Sequence, residues 1–335
     1  MNLIVESVER IAVLRATALG DLLLILPAVE ALRHAYPAAR ITLLGREWQV
    51  PFLRGRPGPV DDVVPVPAIE GSPDAPPELV GRFDLALQMH GDGHHANAFV
   101  NGLGARVTAG LRGDDAQPLD RWVPYVPYQH ETLRFLEVAG LVGASSEHVE
   151  PRMQVTRGDY AELRSVLGAL PRGLIAVHPG GRDARRRWPA SCFADAAARL
   201  GRPVVVTGGE HERDLVEKVA ALIPRSIPVV GALSAGGLAA LYTACDVVIA
   251  NDSGPRRLAA ATGTPTVGVY WCGDLINAGP LTRSHHRPLI SWTTHCPTCG
   301  GAGLREPGGC DHPVSWLTDV GAEAVAAQAD ELLSA

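Results

Sequence analysis

Short apolar strands alternate with amphipathic helical stretches twice along this chain, and that alternation leaves few folds open. In the first half "RIAVLR", "RITLLG", "VDDVVPVP" and "FDLALQMHG" have the composition of buried strands. Between the first two, "DLLLILPAVEALRHAYP" sets Leu22, Leu26, Val29 and Leu32 on or near one stripe, and "AYP" stops it. Strand, helix and strand in this order predict a parallel sheet. Residues 68–77, rich in Pro, Gly and Asp, read as a surface loop.

The cycle then repeats through "LIAVHPGG", "SCFADAAARL", "PVVVTGGE", "ERDLVEKVAALI", "GGLAALYTA", "DVVIANDSGP" and "TPTVGVYW", before a closing helix in "DVGAEAVAAQADELLSA". Pro171-Arg172-Gly173, after the helical "DYAELRSVLGALPRG", reads as a linker. The expectation is an α/β chain of two Rossmann-like domains, residues 1–170 and 171–335, facing each other across a cleft. Ligands of such sheets gather at the carboxyl ends of the strands.

Composition narrows the function. With 335 residues, 46% hydrophobic and 20% charged, the chain can bury two ordinary cores. A net charge of -6 argues against a nucleic-acid binder working through a broad basic surface. The run "LLLILPAVEAL" is broken by Pro27 and Glu30 well short of a membrane span, so a cytoplasmic protein with reduced thiols is expected.

Three stretches carry chemistry. "ATALGD" places Asp21 at a helix start, where the dipole favours a carboxylate; an N-cap aspartate would look the same. "HPGGRDARRRWP" offers Gly180 and Gly181 with Arg182, Arg185, Arg186 and Arg187. Such a loop brings guanidinium forks and free N–H groups to a phosphate, although a solvated basic turn fits as well. "VIANDSGPRRLAAATGTPTVGVY" ends a strand in a polar turn and opens a small-residue helix, whose N–H groups suit a diphosphate. Asp252 would repel phosphate and suits sugar hydroxyls better.

Taken together, "RATALGD", "GRDARRRWP", "TGGEHE" and "NDSGPRRLAAATGTPTVGVYW" resemble, in order and spacing, the motifs of the heptosyltransferase family, glycosyltransferase family nine. The resemblance implies a GT-B fold, with an N-terminal acceptor domain and a C-terminal nucleotide-sugar domain. It also implies inverting transfer that needs no cofactor or metal. Asp21 then looks like the general base. Proton transfer from the acceptor can come late, because an oxocarbenium-like centre acidifies the attacking oxygen.

By the same resemblance Arg186 matches a phosphate-contacting lysine, flanked by Arg185 and Arg187. Gly180, Gly181 and Thr207 belong to the donor loops, and Asp252, Ser253 and Gly254 match the turn that holds sugar and diphosphate. Glu212 matches the acid that fixes the ribose, and Leu233 lies on the adenine edge. The implied donor is ADP-L-glycero-β-D-manno-heptose. The implied acceptor is a saccharide or glycolipid of the lipopolysaccharide inner core, with peripheral membrane contact if it is a lipid, and no nucleic acid partner.

The chain also departs from the family. Arg257 stands where a histidine is usual, preceded by Arg256. "MHGDGHHANAF" gathers His90, Asp92 and His94 at a strand end, a polar group suited to an acceptor or to a hydrated loop. "HCPTCGGAGLREPGGCDH" sets Cys296, Cys299, Cys310 and His312 in a spacing that could hold a structural Zn²⁺. Alternatives stay open: a small natural-product acceptor with a hydroxyl or amine, a sugar-nucleotide epimerase, or a non-catalytic nucleotide-sugar binder.

Overall fold

The structure is a computed structural model and describes residues 3–71, 73–301, 310 and 312–334. It divides into two compact units, Met1–Gln154 and Val155–Ala335. The sequence had suggested a boundary at residue 170. The boundary lies earlier because the helix Arg157–Leu167 packs on the second unit's helix Ala235–Thr243. Tyr160 Oη and Thr243 Oγ1 lie 3.1 Å apart there, and Ser234 N donates to Glu162 Oε1 at 2.6 Å. Pro171-Arg172-Gly173 is therefore a turn within the second unit, not a linker.

The first unit carries strands β1 (Arg10–Leu14), β2 (Arg40–Gly45), β3 (Asp62–Pro65), β4 (Leu85–Gln88), β5 (Val107–Arg112) and β6 (Arg121–Pro124), in the spatial order 3-2-1-4-5-6. All its pairings are parallel, with Ile11 beside Ile41 on one flank of β1 and beside Leu85 on the other. A parallel sheet needs crossovers that cover both faces, so its central strands are apolar throughout. Ala12 and Leu14 pack with Phe99 and Val100 of the helix Ala96–Gly102 and with Leu103 just after it. Ile11 and Val13, equally buried, point to the opposite face by the two-residue period of a strand.

The second unit repeats the plan with β7 (Ile175–His178), β8 (Val204–Gly208), β9 (Ile227–Val230), β10 (Val247–Asn251), β11 (Thr266–Trp271) and β12 (His286–Ser291). Their order is 12-11-10-7-8-9, which is the first sheet's order again, and every pairing is parallel. Ile175, Val177, Val206, Ile249 and Val269 meet Phe193, Val216 and Val325 in one apolar cluster. The C-terminal helix Ala322–Ser334 packs on Ala190–Leu200 within this unit. In each unit the direction of strand order reverses beside its first strand, between β1 and β4 and between β7 and β10. Such points open a crevice at the strands' carboxyl ends.

Candidate active site

At the first switch point β1 runs out through Arg15 into the short helix Leu19–Leu23. Its N-cap is Ala18, which makes no side-chain capping bond, and Asp21 lies in the first turn. Asp21 is thus not the N-cap, which corrects one of the two readings open from the sequence. What positions it is Arg15, only 4% exposed. Arg15 Nε donates to the Asp21 carbonyl at 3.1 Å and Nη1 to the Met89 carbonyl at 2.7 Å. Its guanidinium lies 4.7 Å from the Phe135 ring centroid, and Nη2 is 3.8 Å from Glu131 Oε2. The motif named this arginine without giving it a task. An Arg directly after an apolar strand was the available signal.

His90 follows β4 beside this turn. Burial, reinforced by Arg15, lowers its pKa to about 4, while Asp21 acts on it in the opposite sense. It is a neutral imidazole at physiological pH, and its Nδ1 is buried without a hydrogen-bond partner among the described residues. Asp92 and His94 are exposed, and Asp92 Oδ1 accepts from the His94 backbone N–H at 3.0 Å. That bond shapes the loop as an Asx turn. His94 meets His95 edge-on at 4.6 Å. The polar group expected from the sequence therefore contains one enclosed member, His90, and two surface ones.

At the second switch point a residue that sequence reasoning left unassigned ties two loops together. Asn251, fully buried at the end of β10, donates from Nδ2 to the Pro179 carbonyl at 2.7 Å and the Gly180 carbonyl at 3.1 Å. Its Oδ1 accepts from Trp188 N at 2.8 Å. One amide thus holds both ends of the "HPGGRDARRRW" loop. Glu212, 7% exposed, reaches the same loop: its carboxylate accepts from Gly181 N and Gly209 N, each at 2.9 Å. Burial would raise its pKa, but the two backbone N–H groups that donate to it hold the carboxyl below the usual range. A Cβ on Gly180 would come within 2.2 Å of Glu212 Oε1, so only glycine allows this approach.

Thr207 departs from expectation. Its hydroxyl faces inward, 3.1 Å from both His178 Nδ1 and Tyr242 Oη, and the side chain is buried. His178 itself is lowered to about 4 by burial and stays neutral.

The three arginines have different main partners, although Asp183, which holds Arg185, also lies 3.6 Å from Arg186 Nε. Arg185 is held by Asp183, with Nη2 to Oδ2 at 2.8 Å, and donates from Nη1 to the Cys310 carbonyl at 3.1 Å. Arg186 reaches both carboxylate oxygens of the buried Asp274 at 2.8 and 3.0 Å. Arg187 Nε donates to the Gly181 carbonyl at 2.8 Å. Asp274, 88 residues away in sequence, carried no signal of this pairing.

In the polar turn Ser253 is the N-cap of the helix Gly254–Ala261 and accepts from Arg256 N at 3.4 Å. Asp252 pairs with Arg257 through both oxygens at 3.0 and 3.1 Å, so the residue that replaces the family's histidine lies directly on the acid expected to meet the sugar. Arg256, by contrast, is buried over the Tyr270 ring at 5.3 Å. Leu233 is half-buried in the loop after β9, next to Ser234, whose hydroxyl donates to Glu162. Finally, the ligand atoms of Cys296, Cys299, Cys310 and His312 all lie within 4.8 Å of one another.

Two parallel Rossmann-like units, a carboxylate after β1, and an anion-suited loop with a capped helix at the second switch point define an α/β glycosyltransferase of the GT-B class. Residues 78–299 match the model of glycosyltransferase family 9 (heptosyltransferase), and the chain belongs to that family. It is 24% identical over 304 residues to the lipopolysaccharide core heptosyltransferase OpsX of Haemophilus influenzae, covering 84% of this chain and 85% of that one. A glycosyl transferase family 9 structure from Veillonella parvula superposes with a TM-score of 0.79 at 23% identity, over 100% of this chain and 99% of that one. The E. coli heptosyltransferase WaaC with ADP gives 0.66 at 19% identity, over 96% and 97%.

Proposed function

We propose that this chain transfers a heptose from an ADP-linked donor to a hydroxyl of a saccharide or glycolipid acceptor of the lipopolysaccharide core, with inversion and without a catalytic metal or other cofactor. The observation that carries the reading is the loop Asn251 and Glu212 hold at the second switch point. It presents glycine backbone and Arg186 beside the capped turn of Asp252, Ser253 and Gly254. Guanidinium groups there stabilise the charge that develops on a leaving diphosphate, the task a metal performs in other transferases. Support for the adenine nucleotide comes from WaaC, whose structure is a complex with ADP, and for the acceptor from OpsX, named as a lipopolysaccharide core enzyme.

Asp21 is the general base in this reading, with its turn set by Arg15 and with neutral His90 beside it as a hydrogen-bonding group for the acceptor. Gly180, Gly181, Arg185, Arg186, Arg187 and Glu212 shape the diphosphate and ribose site. Asp252, Arg257 and Leu233 meet sugar and base, while Asp92 and His94 contact the acceptor from the loop surface. The reaction takes place in the cytoplasm; among the described residues no helix is long and apolar enough to cross a membrane.

Calorimetric titration with ADP, UDP and ADP-heptose, with no divalent cation added, tests the donor. Tighter binding of ADP than UDP, and of the heptose conjugate than ADP, is expected. Preference for UDP, or binding only with added Mg²⁺, would refute it.

A further inference from the structure

We propose that Cys296, Cys299, Cys310 and His312 hold one Zn²⁺ ion tetrahedrally, and that this ion clamps the arginine loop at the second unit's switch point. The ion's site stands on the residues alone; its effect on donor binding rests on the function proposed above.

The four side chains arrive from two short segments on either side of residues 302–309, and their donor atoms converge. Cys310 Sγ is 3.1 Å from Cys296 Sγ and 2.8 Å from His312 Nδ1, and Cys296 Sγ is 3.9 Å from the same nitrogen. A tetrahedral zinc with bonds of about 2.3 Å to sulfur and 2.0–2.1 Å to nitrogen sets its ligands roughly 3.5–3.8 Å apart, which these separations bracket. The backbone is shaped for the purpose. Gly300 N donates to the Cys296 carbonyl at 2.9 Å and Cys296 N to the Gly301 carbonyl at 2.8 Å, closing a tight turn around the CxxC pair. Gly300 takes φ 70°, the left-handed region that glycine enters without strain.

Backbone N–H groups then point at sulfur: Thr298 N to Cys296 Sγ at 3.4 Å and His312 N to Cys310 Sγ at 3.3 Å. Such donors stabilise thiolates bound to a metal. Three thiolates and one imidazole in this geometry select a soft, tetrahedral cation and disfavour Mg²⁺ or Ca²⁺. Uptake of the ion displaces the thiol protons to solvent and involves no change of oxidation state.

The second half of the proposal follows from what this segment holds. The Cys310 carbonyl accepts from Arg185 Nη1 at 3.1 Å, Ser315 Oγ donates to the Arg187 carbonyl at 2.6 Å, and Trp316 N donates to the Arg185 carbonyl at 2.8 Å. Trp316 is buried, and its own carbonyl accepts from Ser291 Oγ at the end of β12. Cys310, Ser315 and Trp316 therefore grip both neighbours of Arg186. An ion joining Cys310 and His312 to Cys296 and Cys299 fixes that grip to the chain leaving β12.

Elemental analysis of the intact, as-purified protein should find about one zinc per chain. Cys299→Ser and Cys310→Ser should lose it, His312→Cys should retain it as a four-thiolate site, and Cys192→Ser, outside the cluster, should retain it too. Cobalt replacement should give the intense visible bands of tetrahedral thiolate coordination. Stripping the ion with a strong chelator should weaken ADP binding roughly tenfold and readdition should restore it.

Absence of a stoichiometric ion, iron in its place, or an intact mass two protons light from a Cys296–Cys310 disulfide would overturn the zinc site. Zinc present but ADP affinity unchanged on stripping would overturn the clamp alone. If the as-purified zinc protein binds no ADP at all, the donor reading and the clamp fall together while the metal count still decides the ion.

Discussion

In the proposed function Arg186 is one side chain that serves both fold and chemistry. Its Nη1 donates to both oxygens of Asp274, whose side chain is only 5% exposed, so removing the arginine takes a charged donor from a buried carboxylate. Arg186→Met should lower stability by about 1–3 kcal/mol and ADP affinity by roughly tenfold or more. Adding Asp274→Asn should recover much of the stability and none of the affinity, because it removes the buried charge that Arg186 faced without replacing the proposed phosphate contact. Denaturant titration and calorimetry on the two variants check this. Recovery of both quantities together would mean that Arg186 acts only through the fold.

Histidines set the acid response at the same scale. His178 and His90 have pKa values lowered to about 4 by burial, against about 6.5 when unfolded. Between those values the unfolded chain binds protons that the native state refuses, so stability falls as pH drops from 6.5 toward 4 and is unaffected above it. The slope is at most about 1.4 kcal/mol per pH unit for each fully buried imidazole, and less for half-buried His90. Glu212, held low, adds a further loss below about 4.5. Guanidinium midpoints at pH 7.5, 6 and 5 should show the decline, and His178→Asn should flatten it. Equal midpoints at all three values would contradict the assignment of a neutral buried His178.

Among the elements, the loop after β7 depends most on glycine. Gly180→Ala sets a methyl group against the Glu212 carboxylate and should cost about 1–3 kcal/mol while weakening ADP binding. Gly58→Ala, where the added carbon meets open space, should change neither. Thermal melting of the two variants tests this, and equal melting temperatures would show that Glu212 is free to move.

This is also the scale at which the sequence was most and least legible. The strands β1, β2, β4, β7, β8, β10 and β11 stood out because a strand buried on both faces is an uninterrupted apolar run. Two edge strands did not: β6 reads "RWVP" and β9 "IPVV", each with a proline and half-exposed positions, whereas β3, also at an edge, was read in "VDDVVPVP". The helix Arg157–Leu167 was recognised but attached to the wrong unit, since nothing local records that Tyr160 and Glu162 find partners near residues 234 and 243. In the candidate site the loops were legible because glycine and arginine are unusual together. Asn251, Asp274 and Arg15 were not, because their roles are contacts with distant backbone or with a charge far along the chain. The segment 302–309, within the cysteine-rich motif, lies outside the described residues.

Over the whole molecule the same strand order appears twice, so each unit has a switch point at the carboxyl ends of its first and fourth strands. The chain has given these two points different chemistry: Asp21 and neutral His90 in the first unit, arginines and a capped helix in the second. That division suits the proposed transferase, with acceptor and donor on separate units. The inverting transfer proposed above predicts that the product of ADP-β-heptose carries an α linkage, which the anomeric one-bond carbon–proton coupling of the isolated product reads directly; a retained β linkage would contradict it.

The central claim is that Asp21 acts on the acceptor and not on the donor, and Asp21→Asn tests it most directly when turnover and donor affinity are measured on one preparation. The expected result is a fall in kcat of roughly 10²–10⁴-fold, with the Kd for ADP-heptose within about twofold of the parent chain. Unchanged turnover, or loss of donor binding in step with loss of activity, would contradict it.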